Sequence, residues 1–292
     1  MTLNKENPST LTFWGVRGSI PAPGLSTITF GGNTSCVSIE HEDTILIFDA
    51  GSGIRRLGNH LMSRKDLPAI NGNLFVTHTH WDHIQGLPFF APVYMEKNRF
   101  SIHGEKRNIR PLPELLEDQM QAPYFPIGMT DAFDAHISFH EFTLGESIEV
   151  TSDIRVIPFR TRHPNLCVGY VAEVGGFRIA YVPDHEHELG HLDLNVLDYV
   201  SGVDVLIHDS QYSREEIASG KVGWGHSAWE DVVDLAIRAK VGKLYLFHHD
   251  PDATDDRLNE RQYMAQRVFP DTFAAREGLK LPLCIEDLGR DE

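Results

Sequence analysis

The chain has 292 residues, of which 41% are hydrophobic and 23% are charged. This composition is close to that of ordinary globular proteins and excludes a wholly disordered chain. No apolar run approaches the roughly 18 residues that a membrane helix needs, and the first ten residues lack the apolar stretch of a signal peptide. Three widely separated cysteines argue against a disulfide framework. We therefore expect a cytoplasmic protein with no membrane partner.

Acidic residues outnumber basic residues by 42 to 26, which gives a formal net charge of −16 at pH 7. Proteins that bind long nucleic acids usually present basic patches, and this chain contains no basic run. We therefore do not expect a long nucleic acid as a partner. The 16 histidines direct attention to metal binding and acid–base chemistry instead.

In chain order, short apolar strands with turns between them come first, and the clearest helices come late. Alternating or continuous apolar residues predict nine strands, at residues 11–14, 36–40, 44–48, 73–77, 154–159, 168–174, 177–182, 203–207 and 243–247. A capping box at Ser227 predicts a helix that begins there, and residues 255–268 predict another. This order predicts an α/β fold of two sheets covered by helices. We expect one domain over residues 11–292 after a flexible N-terminus, residues 1–10.

The most specific motif is His78-Thr79-His80-Trp81-Asp82-His83, which follows the predicted strand at residues 73–77. A loop that leaves a rigid strand can direct several short ligands to one place. At a spacing of two, His78 and His80 point the same way, and Asp82 and His83 can serve a neighbouring ion. Imidazole nitrogens with carboxylate oxygens suit zinc, and also manganese or iron.

Further candidate ligands lie where other predicted strands give way to loops. His163, Asp184 and His248 each follow or end such a strand. Functional residues gather at these positions because the sheet holds them and the loop exposes them. The sequence therefore predicts more ligands than one ion needs.

These residues, in this order, resemble the metallo-β-lactamase fold superfamily over residues 13–269. The resemblance implies a four-layer αββα sandwich with a dinuclear metal site at one edge of the two sheets, and a structural role for Asp49. The ligands that it implies are His78, His80 and His163 for the first metal, Asp82, His83 and His248 for the second, and Asp184 as the bridge between them.

Finer features resemble the ribonuclease Z branch, and the segments at residues 16–21 and 31–36 resemble its cyclic-nucleotide phosphodiesterase-like members. That resemblance implies that His226 acts on the phosphate, paired with Asp209, beside the ligand and catalytic candidate Asp82. The chain lacks the long basic arm with which ribonuclease Z holds tRNA, and Asp209 stands where ribonuclease Z has Glu.

The expected activity is hydrolysis of a phosphodiester by a water activated by two divalent ions, zinc or else manganese or iron. With Asp82, Asp184 and a bridging hydroxide, such a site would carry a net charge of about +1, which suits one diester anion. A small or cyclic nucleotide is therefore the expected substrate. A lactonase or thioesterase of the same fold and a non-catalytic metal- or ligand-sensing protein are the alternatives.

Several other residues are open to more than one interpretation. His185 and His187 form a second His-x-His pair, which is a weak metal signal, and His208 is expected to support the metal site from behind. His249 should face away from His248. Residues 121–126 are interpreted as a lid, a packing segment or a homodimer contact. Six histidines are expected at the surface: His41, His60, His103, His136, His140 and His191.

Overall fold

The computed structural model describes residues 9–64, 69–107, 110–188 and 190–284. Within these ranges the chain forms two seven-stranded sheets. The strands of the first sheet are β1 (Ser9–Gly15), β2 (Cys36–His41), β3 (Thr44–Phe48), β4 (Asn71–Phe75), β5 (Arg99–Glu105), β6 (His136–Phe142) and β14 (Lys280–Leu283). The strands of the second sheet are β7 (Ile148–Thr151), β8 (Ile154–Thr161), β9 (Cys167–Val174), β10 (Phe177–Val182), β11 (Val205–Asp209), β12 (Lys243–Phe247) and β13 (Thr272–Ala274).

Each sheet is antiparallel at one end and parallel at the other. The first sheet has the order β14-β1-β2-β3-β4-β5-β6, and its pairs from β3 to β6 are parallel. The second has the order β13-β12-β11-β10-β9-β8-β7, and its pairs from β10 to β13 are parallel. The helices are α1 (Ile54–Ser63), α2 (Trp81–Ile84), α3 (Leu112–Asp118), α4 (Met129–Ala132), α5 (Leu194–Val200), α6 (Arg214–Glu216), α7 (Trp229–Ala239) and α8 (Asp255–Gln266).

The period of two along each strand explains the layers. In β3, Leu46 and Phe48 point into the core shared by the two sheets, whereas Ile45 and Ile47 point out toward α1. Strand β12 repeats this on the second sheet, where its outer residues pack with α5, α7 and α8. Because both faces of both sheets are covered, the order is helix, sheet, sheet, helix. The expected αββα sandwich is confirmed.

The structure corrects several predicted boundaries. The strands predicted at residues 73–77 and 203–207 lie at Asn71–Phe75 and Val205–Asp209. Strand β1 begins at Ser9, so residues 9 and 10 do not belong to a flexible N-terminus, and residues 1–8 lie outside the described ranges. Helix α7 begins at Trp229 and not at Ser227, because the Ser227 hydroxyl donates to the His185 carbonyl and caps no helix. Helix α8 ends at Gln266, two residues before the predicted end.

Candidate metal centre

The candidate ligands come from both sheets at one edge of the sandwich. The motif at residues 78–83 follows β4 of the first sheet and continues into α2. His163 follows β8, Asp184 follows β10 and His248 follows β12, all in the second sheet. The two sheets therefore meet across this edge, and each contributes donors to a common centre.

One group of donors consists only of histidines. His78, His80 and His163 each offer a nitrogen, and these atoms lie within 4.8 Å of one another. His163 donates through Nδ1 to the Gly225 carbonyl at 2.8 Å, which leaves its Nε2 3.1 Å from His80 Nδ1. The Thr77 hydroxyl lies 3.1 Å from His78 Nδ1, so His78 Nε2 is the free nitrogen. We call this group the first subsite.

The second group contains a carboxylate. Asp82, His83 and His248 offer atoms within 4.8 Å of one another, and Asp82 Oδ2 lies 3.3 Å from His83 Nε2 and 3.1 Å from His248 Nε2. All three residues are buried. We call this group the second subsite.

Asp184 lies between the two subsites. Its Oδ2 is 2.8 Å from His83 Nε2, and its Oδ1 is 3.4 Å from His248 Nε2. It also forms a donor group with His78 and His83 within 4.8 Å. A buried carboxylate within reach of both groups suits a bridging ligand.

The donors pass a simple test for metal binding. His83 Nε2 and Asp184 Oδ2 are close but are not aligned for a hydrogen bond. Among the described residues, these two atoms and His78 Nε2 have no hydrogen-bond partner although they are fully buried. Leaving a buried polar atom unpaired costs free energy. Nitrogen and carboxylate donors that converge without partners therefore fit divalent metal ions.

The charges of the centre shift its pKa values strongly. Burial would raise the pKa of Asp82, but the neighbouring His83 and His248 outweigh it and hold that pKa well below its usual value. Burial would lower the pKa of His83, but Asp82, Asp184 and Asp49 together raise it well above the usual value. Burial, assisted by His83, lowers the pKa of His78 well below its usual value. Without metal, these directions favour ionised carboxylates, a neutral His78 and a protonated His83. A metal ion at the second subsite would displace the proton from His83.

The buried carboxylate of Asp49 contacts the candidate ligand His83 and the segment before His78. It accepts hydrogen bonds from the Thr77 backbone N–H at 2.8 Å, from the Thr77 hydroxyl and from the Tyr181 hydroxyl at 3.0 Å. His83 Nδ1 lies 2.7 Å from the same carboxylate, so His83 Nε2 faces the second subsite. This partner of a ligating ring supports the structural role expected for Asp49.

A loop that carries no candidate ligand also shapes the second subsite. The Ser19 backbone N–H donates to Asp82 Oδ2 at 2.7 Å. A Cβ atom on Gly18 would lie 2.3 Å from His248 Nδ1, so only glycine lets the His248 ring lie this close. The fully buried Arg17 ties the loop to the Asp250 and Ala253 carbonyls at 2.9 and 2.7 Å. Residues 16–21 were noted only for their family resemblance, and this function was missed.

His226 and Asp209 lie beside the second subsite. His226 Nδ1 is 2.9 Å from Asp209 Oδ2, and its ring stacks on that of His248 with centroids 5.0 Å apart. Asp209 also accepts from the His185 and Gln211 backbone N–H groups, which fixes the carboxylate. Burial would lower the pKa of His226, but Asp209 and then Asp184 raise it above its usual value. The predicted pair is therefore brought together at the centre.

The remaining histidines divide into three kinds. His185, His187 and His208 are buried behind Asp209, where His185 Nε2 lies 3.1 Å from His187 Nδ1, and none of them belongs to a converging donor group of the described residues. His249 faces away from the centre, 2.8 Å from the Ala275 carbonyl. Of the six histidines expected at the surface, three are exposed and two are half-buried: His136, His140 and His191, and His41 and His60.

His103 was predicted wrongly as a surface residue. It is buried, stacks on Phe75 with centroids 4.6 Å apart and lies 3.1 Å from Asn73 Oδ1. Strand β5 is an inner strand of the first sheet, between β4 and β6, and the rings of Phe75 and His140 cover His103 there. The polar neighbours of His103 in the sequence did not reveal this.

The segment at residues 121–126 lies mostly at the surface. Tyr124 is exposed, whereas Phe125 is half-buried and packs edge-on against Phe89 with centroids 6.0 Å apart. The segment is therefore attached to the helical side of the first sheet. Its interpretation as a lid or as a homodimer contact stays a prediction. No helix in the described parts of the chain combines the length and apolar character needed to cross a membrane.

Known proteins resemble the chain in both sequence and fold. The family described as "Beta-lactamase superfamily domain" matches residues 44–249. "Ribonuclease Z" of Sulfurisphaera tokodaii is 28% identical over 278 residues, which cover 82% of this chain and 89% of that protein. The structure of human tRNase Z, short form, has a TM-score of 0.67 at 20% identity, with 94% of this chain and all of that chain covered. A diphosphatase of the PhnP family has a TM-score of 0.69 at 19% identity, with coverages of 94% and 98%.

The expectation that excluded a long nucleic acid is wrong, because the relatives that match most of the chain bear the name ribonuclease Z. The net charge of −16 is a sum over the whole molecule. Salt screens its distant parts beyond about 8 Å at physiological ionic strength. The charges close to the reacting group therefore matter more than the total for substrate choice.

Proposed function

The chain belongs to the β-lactamase superfamily and is a metal-dependent hydrolase of the metallo-β-lactamase fold, and from this premise we propose that it cleaves phosphodiesters with two divalent ions, preferably zinc. The ligands that we propose are those of the first subsite, those of the second subsite, and Asp184 between them. The number and identity of the ions are part of the proposal.

The observation that carries the proposal is the hydrogen-bonded pair of His226 and Asp209 beside the second subsite. Cleavage of a phosphodiester expels an alkoxide, which is a poor leaving group unless it receives a proton. A histidine whose pKa is raised by a carboxylate can hold that proton near neutral pH. Acyl transfer from an activated thioester or lactone needs such an acid less.

In the proposed reaction, some residues transfer or orient a proton and others hold the metal ligands. When bound, the two ions would lower the pKa of water and neutralise charge on the phosphoryl oxygens. Asp209 accepts a hydrogen bond from His226 Nδ1–H and so orients the ring. His226 then donates a proton from Nε2 to the leaving oxygen as its bond to phosphorus breaks. Asp49 and the Ser19 N–H hold the ligands of the second subsite while this happens.

A substrate panel tests the proposal. Purified protein with added zinc or manganese is assayed with bis(p-nitrophenyl) phosphate, cyclic mononucleotides, dinucleotides, lactones and thioesters. We expect the diesters to be hydrolysed. Turnover of lactones or thioesters without turnover of any diester would favour the acyl alternative. Metal binding without any turnover would favour a non-catalytic sensor.

A second candidate substrate within the same chemistry is a tRNA precursor. It is favoured by the ribonuclease Z relatives, of which that from Gemmatimonas aurantiaca covers 96% of this chain at 23% identity. A labelled precursor with a 3′ extension is included in the panel. Its cleavage at a rate above that of the dinucleotides would assign the protein to RNA processing, and a rate below theirs would favour small nucleotides.

A further inference from the structure

Near His226 lie two aromatic rings and one cation. The Tyr212 ring has its centroid 5.9 Å from that of His226 and 6.5 Å from that of Trp224. Lys221 Nζ lies 3.6 Å from the Tyr212 centroid and 5.9 Å from the Trp224 ring. These three side chains, Tyr212, Lys221 and Trp224, form what we call the aromatic–lysine cluster.

Trp224 is exposed but its backbone is held firmly. Trp224 is 57% exposed. The buried carboxylate of Glu186 accepts hydrogen bonds from the N–H groups on either side of it, those of Gly223 at 2.8 Å and Gly225 at 2.7 Å. The indole is therefore presented to solvent from a fixed position.

The same loop contacts the first subsite directly. The Gly225 carbonyl accepts the hydrogen bond from His163 Nδ1, and a Cβ atom on Gly225 would lie 2.2 Å from that nitrogen. Gly225 also has a φ of +90°, which favours glycine. One short segment thus joins a metal ligand, the exposed Trp224 and His226.

The side chain of Lys221 is partly exposed to solvent. Its Nζ lies 3.5 Å from Asp250 Oδ2, and its side chain is 27% exposed. A lysine ammonium has three donors, and the ammonium of Lys221 has one carboxylate neighbour, Asp250, while its aromatic neighbours accept no conventional hydrogen bond. A further anionic group can therefore approach Lys221 from solvent.

We propose that the aromatic–lysine cluster is a subsite for the leaving group of a nucleotide substrate. A nucleobase stacks on Trp224, and an anionic group of the same nucleotide faces Lys221. This inference rests on the proposed phosphodiesterase function. In that reaction the oxygen of a water that gives its proton to solvent bonds to phosphorus, the bond from phosphorus to the leaving oxygen breaks, and His226 protonates that oxygen. The leaving group must therefore lie on the His226 side, and the Tyr212 ring packs against both the His226 ring and the Trp224 ring.

The test compares three substrates that share one scissile diester. They are dithymidine monophosphate and two analogues, each with an abasic deoxyribose in place of one thymidine. The cleavage product that carries no phosphate identifies the leaving side. We expect Trp224→Ala to lower kcat/KM about 5- to 100-fold for substrates with a base on the leaving side, since stacking on an aromatic side chain has about this value. It should leave the analogue that lacks this base nearly unchanged.

Two more variants sharpen the result. Trp224→Phe keeps an aromatic face and should restore most of the loss. Lys221→Met keeps the apolar stem and should reduce the preference for a leaving nucleotide with a terminal phosphate over the same nucleotide without one. Tyr263→Ala, which removes an exposed ring on α8, is the control and should change no ratio.

The outcomes separate the inference from the function on which it rests. If the unmodified protein cleaves none of the three diesters, the phosphodiesterase proposal fails and the subsite fails with it. If it cleaves them and Trp224→Ala lowers all three rates equally or none, only the subsite is overturned. A change of oligomeric state in Trp224→Ala with unchanged substrate ratios would also overturn it and identify Trp224 as a contact between copies.

Discussion

The two subsites of the metal centre are built from different donors. The first consists of three histidines, of which His80 and His163 are only half-buried. The second contains the carboxylate of Asp82, and all its members are buried. Among the residues that the structure describes, Asp184 is the carboxylate that converges with a donor of the first subsite, His78, and it also lies close to the second subsite. The negative charge near the first subsite therefore comes from Asp184, a residue that the second subsite shares.

The supports of the two subsites differ as well. In the first subsite, His163 is held by the Gly225 carbonyl and His78 by the Thr77 hydroxyl, and neither support carries a charge. The second subsite is held by the Asp49 carboxylate and the Ser19 N–H. Because outer hydrogen bonds fix ligand geometry and tune metal affinity, we expect the second subsite to bind its ion more tightly than the first.

The largest effect is expected for Asp184→Asn, which keeps the shape of the side chain and removes the shared negative charge. Zinc affinity should fall more than about 100-fold, the upper range for loss of a supporting residue, and hydrolysis should fall to near background. The first subsite should lose its ion before the second, which retains Asp82. Elemental analysis after stepwise dialysis against a chelator measures this. The control is Asp198→Asn, which makes the same change at an exposed position on α5 and should keep both ions. If Asp184→Asn also keeps both ions, Asp184 is not a bridging ligand.

The next largest effect is expected for His226→Ala. Loss of a general acid should lower the rate about 10²- to 10⁴-fold for an alkyl diester, and less for a p-nitrophenyl diester, whose leaving group needs less proton assistance. Both ions should remain, because His226 is proposed as an acid and not as a ligand. Full activity toward the alkyl diester removes His226 from the mechanism, and loss of metal with activity makes it a ligand of the second subsite.

Much of the candidate centre could be predicted because its candidate ligands follow apolar strands. The motif at residues 78–83 and the residues His163, Asp184 and His248 all lie at such ends, and a strand can be recognised from local alternation. The αββα layers followed from the same pattern together with the family resemblance. The functional assignment of each ligand remains a prediction until metal binding is measured.

Other features could not be predicted because they depend on contacts between distant segments. Gly18 meets His248 across some 230 positions of sequence, and nothing local distinguishes it from a turn glycine. Ser227 had the sequence of a helix cap, but its hydroxyl is taken by the His185 carbonyl. His103 has polar neighbours yet lies in an inner strand. In each case tertiary packing overrides the local pattern.

Two glycine substitutions test the difference between the subsites directly. Gly18→Ala presses on His248 and should weaken the second subsite, whereas Gly225→Ala presses on His163 and should weaken the first. We expect about 10- to 100-fold weaker binding of one ion in each case, as for loss of a supporting contact. Gly225→Ala should also lower stability, because its φ of +90° strains alanine. Zinc titration with a competing chelator separates the two ions, and equal weakening of both ions in both variants would contradict independent supports.

The smallest effect is expected for His103, which lies outside the metal centre. It shows how burial changes the pKa of a histidine that has no carboxylate beside it. Burial, and then the neighbouring His140, lowers the pKa of His103 to about 4, whereas the carboxylates raise the pKa of the equally buried His83. A lowered histidine pKa means that the unfolded chain binds the proton more readily. The stability that neutral His103 provides is therefore complete above about pH 6.5 and is lost as the pH falls toward 4. Between pH 7 and 5 we expect a loss of about 1–2 kcal/mol in the free energy of unfolding.

His103→Gln can still donate to Asn73 but does not titrate, so it should lack this part of the loss. Urea unfolding of both proteins without metal at several pH values gives the difference, because the ligands titrate alike in both. Parallel pH profiles would show that His103 is not the titrating group.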